Sequence, residues 1–331
     1  MSAAGTAPLL EIEGLRTHFF TKAGVVKAVD DVSFTVSKGE VLGLVGESGS
    51  GKSMTGYSIM GLIDPPGRIV EGAIRLSGRN LLTLSAEELR QLRGNRIAMI
   101  FQDPMMTLNP VLSVAVQMIE TILAHESVSR SEALNRSRAA LVKVGIPSPD
   151  ERLTAYPHQF SGGMRQRVAI AIALLNNPDL VIADEPTTAL DVTIQGQILF
   201  EMQKLTRETG AAMIWITHDL SVVAGLADRV CVMYAGRIVE QGSVFDVLAR
   251  PRHPYTQGLL DSVPSRSVRG ARLKQIPGMV PSALNLSAGC AFRPRCGFAS
   301  EICATMPATR PSGADGQTVR CHHPLALRTA A

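Results

Sequence analysis

Eight consecutive residues, Gly46 to Ser53, have the types and spacing of a phosphate-binding loop. They read GESGSGKS, follow the apolar segment Val41 to Val45 and precede an expected helix. Glycines let backbone N–H groups surround a polyphosphate, lysine places a charge on its outer phosphates, and serine can ligate Mg²⁺. The predicted nucleotide-binding residues of the loop are Gly46, Ser48, Gly49, Ser50, Gly51, Lys52 and Ser53. A chance match is the alternative, and the flanking strand and helix argue against it.

Two adjacent carboxylates follow a second apolar segment. Leu180 to Ala183 is predicted to be a buried parallel strand, and Asp184 and Glu185 stand at its carboxyl end, where nucleotides bind. We expect Asp184 to hold Mg²⁺ and Glu185 to polarise the attacking water, so the pair indicates hydrolysis. Alone, such a pair would more often cap a helix or lie in a solvated loop.

A third candidate site lies in the segment Phe160 to Arg167, which reads FSGGMRQR. It leads into an apolar, alanine-rich helix expected over about Val168 to Leu175. The free N–H groups and the positive dipole end at Ser161, Gly162 and Gly163 favour an anion. Within one chain, this helix start can share a phosphate with the first loop only if the fold brings the two together.

Cysteines are concentrated near the C-terminus, with the spacing C-x5-C-x6-C-x17-C. They are Cys290, Cys296, Cys303 and Cys321. Cytosolic thiols stay reduced, so metal binding is favoured over disulfides. The spacing lacks the short knuckles of zinc sites and is compatible with an all-thiolate iron–sulfur cluster, whose negative charge Arg293 and Arg295 would offset. Zinc and simple core packing are the alternatives, and Cys231, in an apolar strand, is predicted to be a core residue.

Composition favours a globular α/β protein and changes near Phe245. The chain has 331 residues, 45% of them hydrophobic, and a formal net charge of +4. From Phe245 onward it holds nine of the nineteen prolines and a net charge of +7, without the dense basic run that nucleic-acid binding favours. No apolar run reaches the roughly 18 to 20 residues that cross a bilayer, and Met1 to Pro8 lacks signal-peptide features. We expect a soluble, cytoplasmic chain with no nucleic-acid partner.

The apolar pattern also predicts the elements that must position these residues. Strands are expected over Leu9 to Val45, Ile69 to Leu76, Ile97 to Ile100 and, as a closing pair, Val230 to Gly242. Helices are expected after Lys52, over Ser85 to Leu92 and through most of Thr107 to Leu175, with turns at Gly145 to Asp150 and Tyr156 to Pro157. Strands and helices then alternate through Val181, Gln195, Ile214 and Val230. This alternation is typical of parallel βαβ construction.

Together these motifs resemble those of ABC-type ATPases, whose signature motif matches Phe160 to Arg167. Four further family positions occur in the expected order, at Gln102, Asp191, His218 and Phe19. The resemblance implies that the glutamine senses Mg²⁺ and water, the aspartate lines a dimer seam, the histidine contacts the γ-phosphate and the phenylalanine stacks on adenine. Phe20 is a close second for stacking. Taken singly, each could be an ordinary loop amide, helix cap, strand-end histidine or core side chain.

The resemblance also implies the architecture and the need for a dimer. The implied fold is an α/β, RecA-like P-loop core with an antiparallel β subdomain and a helical subdomain over about 104–175, all within 1–244. A small Pro/Cys-rich C-terminal domain would occupy 245–331. Ser161 to Gly163 of one subunit would close over ATP held by the other. The signature departs from its usual leucine and glutamine at Phe160 and Met164.

The tail narrows the resemblance to ATPases of oligopeptide/dipeptide importers. The residues that carry it are His253 to Thr256, Tyr156 to Gln159, Asp103 to Met105 and Leu108 to Pro110. The resemblance covers Leu9 to Pro324, and in some members the tail cysteines hold a 4Fe–4S cluster. It implies an ATP-hydrolysing subunit at the cytoplasmic face of the inner membrane, which powers peptide import.

The implied partners are a related, non-identical second ATPase, two membrane permease subunits and, indirectly, an extracytoplasmic solute-binding protein. An importer ATPase for nickel or glutathione, and a non-transport ABC ATPase of DNA repair or translation, are the alternatives. The single cassette and the lack of a heptad run argue against the non-transport class. A nucleotide-gated metal or redox sensor is a third hypothesis.

Overall fold

The structure is a computed structural model that describes residues 7–187, 192–263, 274–313 and 316–326. It divides into two compact units. Unit 1 comprises residues 1–36, 41–82 and 215–331, and unit 2 comprises residues 37–40 and 83–214. The phosphate loop and the C-terminal segment from 245 onward therefore belong to the same unit.

The described residues alternate strands and helices, as the sequence predicts for an α/β protein. The strands are β1 (Leu10–Thr21), β2 (Gly24–Val36), β3 (Val41–Val45), β4 (Gly67–Leu76), β5 (Arg79–Asn80), β6 (Ile97–Ile100), β7 (Leu180–Asp184), β8 (Ala212–Thr217), β9 (Arg229–Tyr234), β10 (Arg237–Ser243), β11 (Arg310–Pro311) and β12 (Thr318–Val319). The α-helices are α1 (Lys52–Met60), α2 (Ala86–Leu92), α3 (Val114–Leu123), α4 (Arg130–Lys143), α5 (Pro149–Thr154), α6 (Gly162–Leu174), α7 (Val192–Thr209), α8 (Leu220–Leu226), α9 (Val244–Ala249) and α10 (Pro254–Asp261).

Unit 1 contains an antiparallel sheet with the strand order β2-β1-β4-β5. β1 pairs with β2 through a tight connection in which Thr21 lies opposite Gly24, and with β4 on its other side. In β1, Leu10, Ile12 and Leu15 are fully or almost fully buried. This one-sided burial is typical of a sheet that packs one face on a core.

A second set of strands in unit 1 places the phosphate loop. β3 pairs in parallel with β9, and β9 pairs antiparallel with β10. All five residues of β3 are buried, as the continuous apolar run from Val41 to Val45 predicts. The short tail strand β12 then adds to β10, with Val319 opposite Glu240.

The C-terminal segment packs on the core of unit 1 through a group of aromatic rings. Tyr234 of β9 lies 4.6 Å from the ring centre of Tyr255 in α10 and 5.3 Å from that of Phe292. Tyr255 and Phe292 are themselves 5.4 Å apart. These rings, together with Val45 and Val232, form one buried cluster. The cluster joins the strands that flank the phosphate loop to residues far along the chain.

Unit 2 combines a parallel strand pair with helices. β6 and β7 are parallel, with Ile97 opposite Leu180 and Ile100 opposite Ala183. In α3, the buried residues Val114, Met118, Ile119 and Ile122 recur at helical spacing. The predicted turn at Gly145 to Asp150 ends earlier than expected, because α5 begins at Pro149, a residue that favours a first helical position.

Helix length also bears on the expected absence of a membrane span. Among the residues that the structure describes, no helix is both long enough and apolar enough to cross a bilayer.

Candidate functional site

The loop from Gly46 to Ser53 connects β3 to α1 in unit 1. α1 begins at Lys52, and Gly51 is its N-cap residue. The chain thus runs from the carboxyl end of a buried strand directly into a helix start. Free N–H groups at such a start attract anions, so the local geometry agrees with the predicted phosphate loop.

Two glycines of the loop are required by the close approach of other backbone segments. A Cβ atom on Gly46 would lie 2.2 Å from the carbonyl oxygen of Met233, and one on Gly51 would lie 2.3 Å from that of Ala28. Gly51 also has a φ of 100°, in the left-handed region. Because both obstacles are backbone atoms, a larger residue at either position would displace the loop.

Lys52 is buried, and its ammonium group lies over the loop itself. Nζ donates to the carbonyl oxygens of Gly46 at 2.8 Å and Glu47 at 3.1 Å. The hydroxyl of Ser50 is buried too, and it finds no hydrogen-bond partner among the described residues. A positive charge and an unpartnered hydroxyl beside a helix start fit a polyphosphate.

Phe19, predicted to stack on adenine, lies half-buried on β1. Its ring packs against Gly67 of β4, where a Cβ atom would lie 2.5 Å from the ring. Phe20 is 40% exposed, and its ring centre lies 4.2 Å from the guanidinium carbon of Arg68. Phe19 is thus in part a packing residue, and its stacking on adenine stays a prediction.

His218 directly follows β8, and its side chain is exposed to solvent. The next residue, Asp219, caps α8, since its carboxylate accepts a hydrogen bond from the backbone N–H of Ser221 at 2.8 Å. The predicted contact of His218 with a γ-phosphate stays a prediction.

Unit 2 brings three predicted residues to one edge of its strands. Asp184 ends β7 and is 1% exposed, and the half-buried Glu185 follows it. β6 lies parallel to β7, so Gln102, which comes just after β6, reaches the same edge. Glu185 has a φ of 44°, which non-glycine residues rarely adopt and which is often found at functional sites. The structure therefore supports a polar site at this edge.

The signature segment forms the start of α6. The helix begins at Gly162, earlier than the apolar run from Val168 suggests, and Ser161 is its N-cap residue. The Ser161 hydroxyl accepts a hydrogen bond from the N–H of Met164 at 3.3 Å, and Ser161 and Gly162 are exposed. Gly163 is half-buried. Asp191, predicted to line the dimer seam, lies outside the described residues.

The four tail cysteines lie in unit 1 but do not support the predicted cluster or zinc site. Within 7–187, 192–263, 274–313 and 316–326, no group of three or more His, Cys, Asp or Glu residues could hold a metal ion. Burial raises the pKa of the Cys290 and Cys296 thiols and raises that of Cys321 to about 11. Cys231 is fully buried in β9, as predicted.

Arg295, which was predicted to offset the charge of a cluster, pairs in the structure with a carboxylate. Its guanidinium forms a bidentate ion pair with Glu47, the second residue of the phosphate loop. Sequence reasoning missed Glu47 and Tyr255, whose hydroxyl accepts the Glu47 N–H at 2.8 Å. These contacts span more than two hundred residues of sequence, and the spacing of charges and aromatics gives no signal for such a pairing.

Two family profiles match the chain. Residues 29–188 match the ABC transporter family, and residues 239–303 match the C-terminal region of the oligopeptide/dipeptide transporter family. The second match begins within β10 and ends at Cys303 of the tail. Both matches agree with the resemblance inferred from the motifs.

Curated relatives and solved structures extend these matches. The oligopeptide transport ATP-binding protein OppD of Salmonella typhimurium is 52% identical over 299 residues, 90% of this chain and 89% of the relative. The dipeptide transport ATP-binding protein DppD of Haemophilus influenzae is 47% identical over 318 residues, 96% of each chain. A dimeric ATP-binding cassette bound to ADP and phosphate has a TM-score of 0.65 and 26% identity, over 71% of this chain and 98% of the other. Sequence identity of about half, sustained over nine tenths of the chain, shows that it belongs to the ABC transporter ATP-binding proteins of the oligopeptide and dipeptide transporter family.

Proposed function

We propose that the chain is the ATP-hydrolysing subunit that powers a membrane importer of dipeptides or oligopeptides. The observation that carries the ATPase part is the enclosed phosphate loop, in which Lys52 is buried above its own carbonyls at a helix start. The peptide part is supported by the relatives, which are named as oligopeptide and dipeptide transport proteins. The C-terminal match to the same transporter family supports it independently.

The residues of unit 1 bind the nucleotide in this proposal. N–H groups of Gly46, Ser48 to Gly51 and the α1 start surround the phosphates, Lys52 contacts the β- and γ-phosphates, and Ser53 ligates Mg²⁺. Phe19 stacks on adenine, and His218 contacts the γ-phosphate. Mg²⁺ would neutralise charge that develops on the phosphate oxygens.

The residues of unit 2 carry the chemical step. Asp184 and Gln102 offer oxygen ligands suited to Mg²⁺, and Glu185 accepts the proton of the attacking water. Glu185 follows β7 and Gln102 follows β6, and the common edge of these two parallel strands supports the role of Glu185. General-base assistance of this kind contributes about 10² to 10⁴ in rate.

The start of α6 acts on a second subunit. Ser161, Gly162 and Gly163 are proposed to cover ATP bound by the partner ATPase, and Asp191 to line the seam between the subunits. The exposure of Ser161 and Gly162 supports this, because donors that face solvent remain available to an anion carried by another chain. No step of this cycle involves the four tail cysteines.

The proposed assembly places the chain peripherally at the cytoplasmic face of the inner membrane. Its partners are a related second ATPase subunit, two membrane permease subunits and, indirectly, an extracytoplasmic solute-binding protein. ATP binding closes the ATPase pair and hydrolysis reopens it, and these movements drive the permease subunits.

Peptide uptake by the assembled transporter tests the proposal. The chain would be co-expressed with its membrane partners and reconstituted in vesicles that contain MgATP, and entry of a labelled tripeptide would be followed with and without the solute-binding protein. ATP-dependent uptake that disappears in the Lys52→Ala variant is the expected result. ATP hydrolysis without peptide movement, or stable salt-sensitive binding to DNA or RNA in place of membrane partners, would contradict peptide import.

A further inference from the structure

Glu47, inside the phosphate loop, directs its carboxylate toward the C-terminal segment. Nη1 of Arg295 donates to Oε2 of Glu47 at 2.6 Å, and Nη2 donates to Oε1 at 3.0 Å. The Arg295 side chain is 4% exposed and that of Glu47 is 27% exposed. Bidentate, charge-assisted pairs of this kind hold both partners in a defined orientation. This ion pair therefore constrains the loop and not only the tail.

The backbone of Glu47 is tied on both sides as well. Its N–H donates to the hydroxyl of Tyr255 at 2.8 Å, and its carbonyl oxygen accepts from Nζ of Lys52 at 3.1 Å. The same carbonyl accepts from the N–H of Ser50 at 3.2 Å. One residue thus connects the tail, through Arg295 and Tyr255, to the lysine that carries the charge of the phosphate site.

Arg295 itself is held firmly by the tail. Its Nε donates to the carbonyl oxygen of Pro277 at 2.9 Å, and Nη1 also lies 3.3 Å from the Tyr234 hydroxyl. Its guanidinium carbon lies 6.0 Å from the ring centre of Phe292, and Cys296 follows it directly. A side chain anchored at these points transmits the position of the tail to Glu47.

We infer that Arg295 is a positioning residue for nucleotide binding, which acts through Glu47 to keep Lys52 and the loop in their binding conformation. This inference rests on the proposed ATP site and deepens it, since it makes the C-terminal segment a working part of that site. When the ion pair is lost, fewer molecules hold the competent loop. The apparent dissociation constant for ATP then rises in inverse proportion to that fraction.

The test compares ATP affinity and stability in the same samples of the full-length chain. The dissociation constant for MgATP is measured by titration calorimetry, and the unfolding midpoint is measured in urea. We expect Arg295→Met to raise the dissociation constant by about tenfold or more, because a buried charge-assisted pair is lost. Arg295→Lys keeps the positive charge but cannot form the bidentate pair, so its dissociation constant for MgATP should lie between those of Arg295→Met and the wild type.

A matched control separates positioning from stability. Arg320 lies in the same tail and unit and pairs with Asp31 at 2.8 Å, with side-chain exposures of 12% and 35%. Arg320→Met should lower the unfolding midpoint and leave ATP affinity unchanged. If Arg295→Met and Arg320→Met lower the midpoint alike and neither changes affinity, Arg295 has only a structural role and the inference is overturned.

A double-mutant cycle and a milder variant complete the test. Glu47→Gln combined with Arg295→Met should weaken ATP binding no more than Arg295→Met alone, since both remove one interaction, whereas additive losses would contradict the inference. If Arg295→Met does not fold, Tyr255→Phe decides, because it removes only the acceptor of the Glu47 N–H. If the dissociation constant of Tyr255→Phe for MgATP rises by about threefold or more, the inference is supported, and if it is unchanged, the inference is overturned. A wild-type chain that binds no ATP would instead refute the proposed function itself.

Discussion

The starts of α1 and α6 are both glycine-rich helix N-termini, but their surroundings differ. At α1, Lys52 and Ser50 are buried, and Gly46 and Gly51 lie against the backbone of other segments. At α6, Ser161 is exposed. Its hydroxyl caps the helix by accepting a hydrogen bond from the N–H of Met164.

The difference concerns what each site needs in order to bind an anion. The α1 start has a lysine, a preset loop and tertiary contacts on several sides, so it can bind a polyphosphate with the residues of its own unit. The α6 start offers N–H donors and a dipole, which are worth only about 0.3–1 kcal/mol at an exposed site. The α6 start is therefore expected to contribute to anion binding only when another chain holds the anion next to it.

The largest effect should come from Glu185, the proposed catalytic carboxylate, which belongs to neither helix start. Glu185→Gln keeps the side-chain shape but removes the base, so ATP turnover should fall by at least about a hundredfold while ATP affinity is retained. Steady-state hydrolysis and nucleotide titration measure the two quantities separately. Glu208→Gln, an exposed change in α7, is the control, and near-normal turnover in Glu185→Gln would exclude Glu185 as the base.

The next effect should show that the α1 start binds nucleotide without a partner subunit. Lys52→Ala removes the buried ammonium group, so the dissociation constant of the isolated chain for MgATP should rise by about 10- to 100-fold. Lys143→Ala, at the exposed end of α4, should leave binding unchanged. Unchanged affinity in Lys52→Ala would remove the basis of the comparison between the two helix starts.

A smaller effect should show that the α6 start works only in the assembled ATPase pair. Ser161→Ala removes the cap and one hydroxyl, so ATP affinity of the isolated chain should stay the same while turnover of the assembled transporter falls about tenfold. Ser129→Ala removes an equivalent cap from α4, where the Ser129 hydroxyl accepts a hydrogen bond from the backbone N–H of Glu132 at 3.1 Å. This change should not affect turnover. A weaker ATP affinity of the isolated Ser161→Ala chain would contradict the proposed division of roles.

The last prediction concerns the stability of the tail that contacts the phosphate loop, and it involves no change in ATP turnover or affinity. His253 is 1% exposed and caps α10, since its Nδ1 accepts the N–H of Tyr255 at 3.0 Å, and burial lowers its pKa to about 3. In the unfolded chain, His253 takes up a proton below about pH 6.5, whereas in the folded chain its lowered pKa keeps it neutral. The contribution of His253 to stability is therefore fully present above about pH 6.5. The free energy of unfolding should fall by about 1.4 kcal/mol per pH unit between pH 6.5 and 3 from this group alone.

His253→Asn provides the matching control. Asparagine can still cap α10 but does not titrate, so urea unfolding at pH 7, 6, 5 and 4 should show a shallower pH dependence than in the wild type. Equal pH dependence in the two proteins would show that His253 does not make the tail sensitive to acid.

Local motifs were predictable because their geometry depends on consecutive residues. β6 occupies Ile97–Ile100, the residues predicted from four successive apolar side chains, and β3 is buried throughout its predicted length. The helix after Lys52 begins where the loop pattern places it. α6 was harder to delimit, because Ser161 can cap a helix whose first turn is polar and lacks an apolar pattern.

The role of Arg295 shows why other parts could not be predicted. A position between two cysteines suggests a charge near a cluster, whereas the fold turns the guanidinium toward Glu47. Which distant charges pair depends on how the tail packs. From the sequence alone, many acidic residues are equally plausible partners for Arg295. The aromatic cluster of Tyr234, Tyr255 and Phe292 decides which one is reached.

The sequence by itself determined the form of the phosphate loop, the buried strand that ends at Asp184 and the serine-glycine start of the signature helix. Each of these depends on short-range chemistry: glycine geometry, apolar periodicity and capping side chains. Membership in a transporter ATPase family was inferred instead from the resemblance of the ordered motifs to that family. Only the tertiary structure decided that the tail closes on Glu47 and that the four cysteines do not group as metal ligands within the described residues. Both outcomes depend on packing between residues far apart in the chain, and no local preference encodes such distances.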